Sequence, residues 1–198
     1  MLTLQRLSGD KLNQYIPALA QLRMRVFHEW PYLYEGDLAY EEAYLQTYIA
    51  APDSVIVLAL HEDNVVGAST GIPLQYETDE VKAPFIRQGY DIDSIFYCGE
   101  SVLLPEYRGQ GAGVAFFEHR EAHARAIGEF KYSCFCGVQR PEDHPQRPAD
   151  YVPLDNFWRK RGYEKHPELN TTFSWKEIGE TNASPKPMTF WMKSLSSN

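Results

Sequence analysis

Apolar and polar residues alternate in part from Leu2 to Leu7, and this stretch predicts a first strand. Leu12, Ile16 and Leu19 then share one face of a helical repeat, with Asp10 placed to cap it. Pro17 interrupts the repeat, so a kink is expected there, or a short turn followed by a helix from near Pro17 to near Glu29. The aromatic stretch Pro31 to Asp37 reads as a loop. After it, Ala43, Tyr44 and Tyr48 stand at helical spacing and predict a helix over 38–50. The run Val55-Ile56-Val57-Leu58-Ala59-Leu60 is wholly apolar, as in a strand covered on both faces. Glu62-Asp63-Asn64 is a turn cluster, and a second strand over 65–72 makes the pair a hairpin. Residues 73–93 hold prolines, a glycine and several acids, and the pattern supports no more than a short helix.

The second half is more regular. A strand over 94–104 runs into Pro105, a glycine-rich loop and a helix from about Gly111 to Ile127, with Val114, Phe117, Ala124 and Ile127 on one face. Gly128 is expected to end that helix. A strand over 131–138 follows, then a proline- and charge-rich loop over 139–153, a length at which loops are often functional. A short helix over 156–161 closed by Gly162, and two strands near 171–177 and 188–193, complete the chain. There is no repeat, low-complexity segment or linker. The expectation is a single α/β domain over 1–198, with a mixed, mostly antiparallel central sheet flanked by helices.

Composition removes several function classes. Of 198 residues, 43 % are hydrophobic and 23 % charged, which fits a domain with a real core rather than a disordered chain. No run of about 18 apolar residues predicts a membrane span, and the N-terminus lacks the regions of a signal peptide. The net charge of −8 argues against a nucleic-acid partner. Three cysteines, Cys98, Cys134 and Cys136, make neither a disulfide framework nor a zinc pattern, so no metal and a cytoplasmic location are expected. Cys134 and Cys136 read as small residues on one strand face.

The loop Arg108-Gly109-Gln110-Gly111-Ala112-Gly113 carries the chemistry. A strand feeding a glycine-rich turn and a helix is a phosphate trap, because the helix N-terminus offers unpaired N–H groups and the positive end of its dipole. Glycines let the backbone approach the anion, and Arg108 adds a charge-assisted contact. A nucleotide P-loop would need Gly-Lys-Ser/Thr, but Val114 and Ala115 follow Gly113. A dinucleotide fingerprint lacks its third glycine, since Val114 stands there.

Residues 102–113, an apolar strand end, a proline and then Arg108-x-x-Gly111-x-Gly113, resemble the main acetyl-CoA motif of the GNAT acetyltransferases. Phe157-Trp158-Arg159-Lys160-Arg161-Gly162-Tyr163-Glu164 resembles that family's later motif. The resemblance implies the GNAT fold, with acetyl-CoA as cosubstrate. It implies that the backbone N–H groups of Gly109, Gln110, Gly111, Ala112, Gly113 and Val114 hold the pyrophosphate. It also implies that the backbone around Val102 and Leu103 pairs with the pantetheine arm, one amide facing the thioester oxygen.

Acetyl transfer to an amine needs a base for the amine and an acid for the leaving thiolate. Glu100, in a strand otherwise almost free of charge, is the expected base. The family's usual tyrosine acid falls here on Trp158, which cannot protonate sulfur usefully, and Tyr151 is the substitute candidate. Asn156 either touches the pantetheine arm or caps the short helix. His119 and His123, four apart on a helix, have no Glu at the zincin position between them and read as solvated residues. Arg140, His144 and Arg147 lie in the long loop and read either as the lining of a substrate mouth or as residues of a hydrated surface loop.

Trp30, Tyr32 and Tyr34, followed by Glu35, Asp37, Glu41 and Glu42, make an aromatic, acidic mouth suited to the primary amine of a small molecule or peptide. The competing readings are a non-catalytic acyl-CoA sensor and an accessory domain that docks on a partner. A homodimer is compatible with the chain, and no membrane partner is expected.

Overall fold

The structure, a computed structural model, describes residues 1–195, so the last three residues of the expected domain lie outside it. One sheet of seven strands forms the centre: β1 (Leu2–Leu7), β2 (Val55–His61), β3 (Asn64–Pro73), β4 (Ile95–Leu103), β5 (Tyr132–Val138), β6 (Glu164–Trp175) and β7 (Ser184–Ser194). The spatial order is β1-β2-β3-β4-β5-β7-β6, antiparallel everywhere except between β4 and β5. This is the expected mixed, mostly antiparallel sheet. The helices are α1 (Ile16–Phe27), α2 (Leu38–Ala50), α3 (Asp79–Arg87), α4 (Ala112–Ile127) and α5 (Asp155–Arg159).

Pro17 is absorbed at the start of α1, where its missing N–H costs nothing, and a short 3₁₀ turn over Gly9–Tyr15 precedes it. The hairpin of β2 and β3 is present, and β2 is buried from Val55 to Ala59, as its apolar run requires. Other features differ from the sequence reading. Gly128 follows α4 in extended conformation, so its conformational freedom is not used there. The buried face of α4 includes Phe116, Phe117, Arg120, Glu121 and Ala124, whereas Val114 and Ile127 are only partly covered. β6 begins at Glu164, well before the expected strand. It is an edge strand and leaves its register between His166 and Asn170, which accommodates Pro167. No described helix is long and apolar enough to cross a membrane.

Two irregularities shape the centre of the sheet. Opposite β3, the pair Thr70–Glu100 is followed by Ile72–Tyr97, so β4 carries one extra residue at Cys98-Gly99. The groups freed by this bulge find partners: Thr70 Oγ1 accepts from the Glu100 amide at 3.2 Å, and Arg120 donates to the Glu100 carbonyl at 2.9 Å. On its other side β4 pairs with β5 only from Ile95 to Tyr97, opposite Tyr132 to Cys134. Beyond Tyr97 and Cys134 the two strands pair no further, and the sheet forks.

Candidate functional site

The fork opens into a continuous cleft of about 2330 Å³. The glycine-rich loop forms one end. Gly109 and Gly111 have φ of 75° and 89°, left-handed values that side-chain-bearing residues rarely adopt. A Cβ on either would meet no atom within 4 Å, so glycine is required there by backbone conformation and not by crowding. The amides of Gly109, Gln110, Gly111, Ala112 and Gly113 donate to no protein acceptor among the described residues. The Val114 amide does, to the Gly111 carbonyl at 3.1 Å, so the array of free donors ends one residue earlier than the sequence reading placed it. Five N–H groups without protein acceptors at the N-terminus of a 16-residue helix are suited to an anion.

Arg108 lines the cleft but is engaged elsewhere. Its Nε donates to the Leu103 carbonyl at 3.1 Å and its Nη2 to Glu29 at 3.0 Å, tying the loop to the end of α1. Arg25 of α1 makes a second such tie to Glu106 at 3.4 Å.

Of the other expected site residues, Glu100, Leu103 and Tyr151 line the cleft. Val102 is fully buried in the core. Gln110 turns back to the Glu106 carbonyl. Asn156 neither lines the cleft nor caps α5, whose N-cap is Leu154. It is exposed and accepts from Arg159 at 3.2 Å. Trp158 packs against Phe135 and Trp191, and a Cβ on Gly137 of β5 would lie 3.3 Å from its ring. Tyr151 sits edge-on to Trp30 with Arg147 over its ring, and burial raises its hydroxyl pKa.

The mouth is built from the two predicted loops. Arg140 reaches across to donate to the carbonyls of Pro31 at 2.7 Å and Tyr32 at 3.1 Å, and pairs with Glu177. It is a strut between the loops, and Tyr32, Trp175 and Trp30 pack around it. His144 packs tilted against Trp30, with ring centroids 4.9 Å apart. His119 lies on α4 away from the cleft, and His123 bonds the Asp53 carbonyl; no described group of three or more His, Cys, Asp or Glu residues is arranged to hold a metal ion.

The expected acidic mouth is largely neutralised. Asp37 caps α2 through the Tyr40 amide at 2.9 Å, and Glu35 pairs with Lys176 at 3.0 Å. Glu41 is completely buried, accepts from the Tyr34 hydroxyl at 2.7 Å and pairs with Arg23 of α1. Arg23 also pairs with Glu100, whose side chain is 7 % exposed, and its guanidinium lies 4.2 Å over the Tyr44 ring. Glu100 is thus held in a chain, Tyr34–Glu41–Arg23–Glu100. Arg120, buried and without an acid partner among the described residues, donates to the Glu100 carbonyl.

One carboxylate in the cleft escaped the sequence reading. Glu77, between β3 and α3, accepts from the Tyr48 hydroxyl at 3.1 Å and from the Thr78 amide at 3.2 Å. It forms no ion pair among the described residues, and burial raises its pKa above the ordinary 4.5. Tyr48 is buried and its hydroxyl also lies 3.3 Å from that of Tyr44, whose pKa burial pushes up to about 12. Beside this group, the Tyr97 hydroxyl and Cys136 sulfur are 3.3 Å apart at the crotch of the fork, and burial pushes the Cys136 thiol up to about 12. All three cysteines are free.

No protein-family model matches the sequence. No curated protein matches it either. Solved structures do. The ribosomal-protein-alanine N-acetyltransferase from Brucella melitensis superposes with a TM-score of 0.63 at 13 % identity, over 97 % of this chain and 99 % of that one. The acetyltransferase of GNAT family from Streptococcus pneumoniae gives 0.58 at 12 %, over 99 % and 100 %. The loading GNATL domain of CurA from Lyngbya majuscula gives 0.62 at 14 %, over 98 % of each chain.

Proposed function

We propose that this chain, whose fold is that of the GNAT acetyltransferases, moves an acetyl group from acetyl-CoA to a primary amine of a small molecule or peptide. The observation that carries the reading is the row of five unpaired amides beside a sheet that forks at its centre. Residues 109–113 would hold the pyrophosphate, with Arg108 exchanging Glu29 for a phosphate oxygen. The open edge of β4 around Val102 and Leu103 would take the pantetheine arm as an added strand. The cosubstrate supplies an activated acyl group, and the chain supplies orientation and proton transfer.

The cleft is large enough for a cosubstrate at the loop end and an acceptor at the aromatic mouth, where Trp30, Tyr32 and Trp175 favour a cationic or N-terminal amine. Three free cysteines fit a reducing cytoplasm. Trp158, packed where the family's tyrosine is expected, favours a second reading, an acyl-CoA sensor without turnover.

Release of free thiol from acetyl-CoA, followed with a panel of primary amines, separates the two. Amine-dependent release supports transfer. Calorimetric binding of acetyl-CoA with no release under any amine supports the sensor. No binding at all removes both.

A further inference from the structure

Four carboxylates in or beside the cleft, Glu41, Glu77, Glu100 and Glu177, differ in what they have left to offer. Glu41 and Glu100 share Arg23, and Glu177 is held by Arg140. Glu77 alone among these is without a cation, while its two hydrogen bonds, from Tyr48 and Thr78, fix its orientation. Its place in the cleft is also defined. The Tyr48 hydroxyl that holds it lies directly against Gly99, two residues past the last β4–β5 pair. Glu77 therefore stands at the crotch of the fork. The titratable groups near enough to interact with its charge are Tyr44 and Tyr48 from α2, Lys82 from α3, Tyr97 from β4, and Cys134 and Cys136 from β5. Of these only Lys82 is a cation, and its ammonium pairs with Asp79 at 3.2 Å.

We propose that Glu77 takes the proton from the acceptor amine, and that Glu100 is a positioning residue that anchors the bulge of β4 to α1 through Arg23. The proposal rests on the acetyl-transfer reading above. An aliphatic ammonium, with a pKa near about 10.4, must lose two protons. The first passes to the Glu77 carboxylate and on to solvent, which frees the lone pair. That lone pair forms the N–C bond to the acetyl carbon as the C–S bond breaks. The second proton leaves the nitrogen and ends on the departing sulfur, giving the amide and free CoA thiol. Burial keeps Glu77 a better proton acceptor than an exposed carboxylate, and Tyr48 keeps it ionised and aimed.

The test compares wild type, Glu77→Gln, Glu100→Gln and Tyr48→Phe by thiol release across the pH range around neutrality, with acetyl-CoA affinity measured calorimetrically. Gln preserves an acceptor for Tyr48, so Glu77→Gln should fold. It should lose at least about 100-fold in kcat with acetyl-CoA affinity unchanged, and its pH profile should lose the acidic limb. Tyr48→Phe removes a bond that favours ionised Glu77, so its acidic limb should move to higher pH. Glu100→Gln should keep the limb at its wild-type position, whatever its rate. The proposal is overturned if Glu77→Gln turns over near the wild-type rate, or if the limb vanishes in Glu100→Gln instead. A wild-type protein that binds acetyl-CoA but releases no thiol with any amine sinks the transfer reading itself, and Glu77 as base with it.

Discussion

The hydroxyl of Tyr48 fills the space that a side chain on Gly99 would need. A Cβ built on Gly99 overlaps that hydroxyl and lies 2.8 Å from Thr70 Oγ1 and 3.2 Å from Tyr48 Cζ. Both neighbours are buried, so neither can simply swing into solvent. Gly99→Ala should therefore cost about 1–3 kcal/mol, the usual range for overpacking, and should push Tyr48 off Glu77. In a Tyr48→Phe background the same change should cost less, because the overlapping atom is gone. Urea denaturation of the two single variants and the double variant measures this coupling, and strict additivity would refute it.

At the other end of the cleft, Gly111→Val forces a β-branched residue into a left-handed conformation. The loop will adopt another shape and its free amides will be displaced. Acetyl-CoA affinity should fall at least about tenfold, or 1.4 kcal/mol, with the rest of the fold intact. Arg108→Ala should cost less, since the amides remain. Glu29→Gln should tighten binding slightly, because it releases Arg108 from its exposed partner. Calorimetry on all three orders these effects. An affinity for Gly111→Val equal to that of wild type would remove the loop from the binding site.

Arg23 is the only cation in contact with both Glu41 and Glu100 among the described residues, and all three side chains are at least nine-tenths buried. Arg23→Met retains much of the packing over Tyr44 and Phe27 but strands two carboxylates. Removing one partner of a buried pair typically costs about 3–5 kcal/mol, and chemical denaturation should show a loss of that size. A loss below about 1 kcal/mol would mean that water reaches the two acids.

Glu77 connects stability to pH. Burial raises its folded-state pKa, so the folded protein holds the Glu77 proton more tightly than the unfolded chain does. The stabilisation from that proton is complete below the ordinary value of 4.5 and is lost as pH rises through the folded value. Above it the charged, buried carboxylate is a cost. Glu77→Gln should raise Tm at neutral pH, and the gain should shrink as the pH is lowered. A variant that melts lower than wild type at neutral pH would show that the carboxylate stabilises the fold. Under the proposed role, the same substitution makes the protein more stable and less active.

What could be read along the chain was what local chemistry decides. Left-handed glycines mark the anion loop because few other residues tolerate φ near 75–89°. The apolar run of β2 and the helical spacing of α2 needed only near neighbours. The missed features depend on distant ones. Pro167, Lys165 and His166 disguised β6, which tolerates them because it is an edge strand. Arg120 and Glu121 look like surface residues of α4, but they are buried against the β4 bulge and against Tyr163 and Lys193. Gly99 within an apolar strand was an available sign of that bulge. Glu77 carried no such sign. It is one acid among several in a stretch without periodicity, and Tyr48, which orients it, is 29 residues away. Glu100 stood out by its apolar neighbours, but nothing local indicated that Arg23, 77 positions earlier in the chain, would reach it.

The fork has a consequence for the lifetime of the protein. Past Tyr97 and Cys134, two neighbouring strands leave main-chain groups without each other, so the sheet is unfinished until something lies between them. A ligand that bridges this gap binds the folded chain and not the unfolded one. At 100 times its dissociation constant it adds about 2.7 kcal/mol to the folding free energy. The proportion of unfolded molecules open to degradation then falls about a hundredfold as the metabolite pool rises. Under the proposed function, the abundance of this protein in a cell would follow the supply of its acetyl donor.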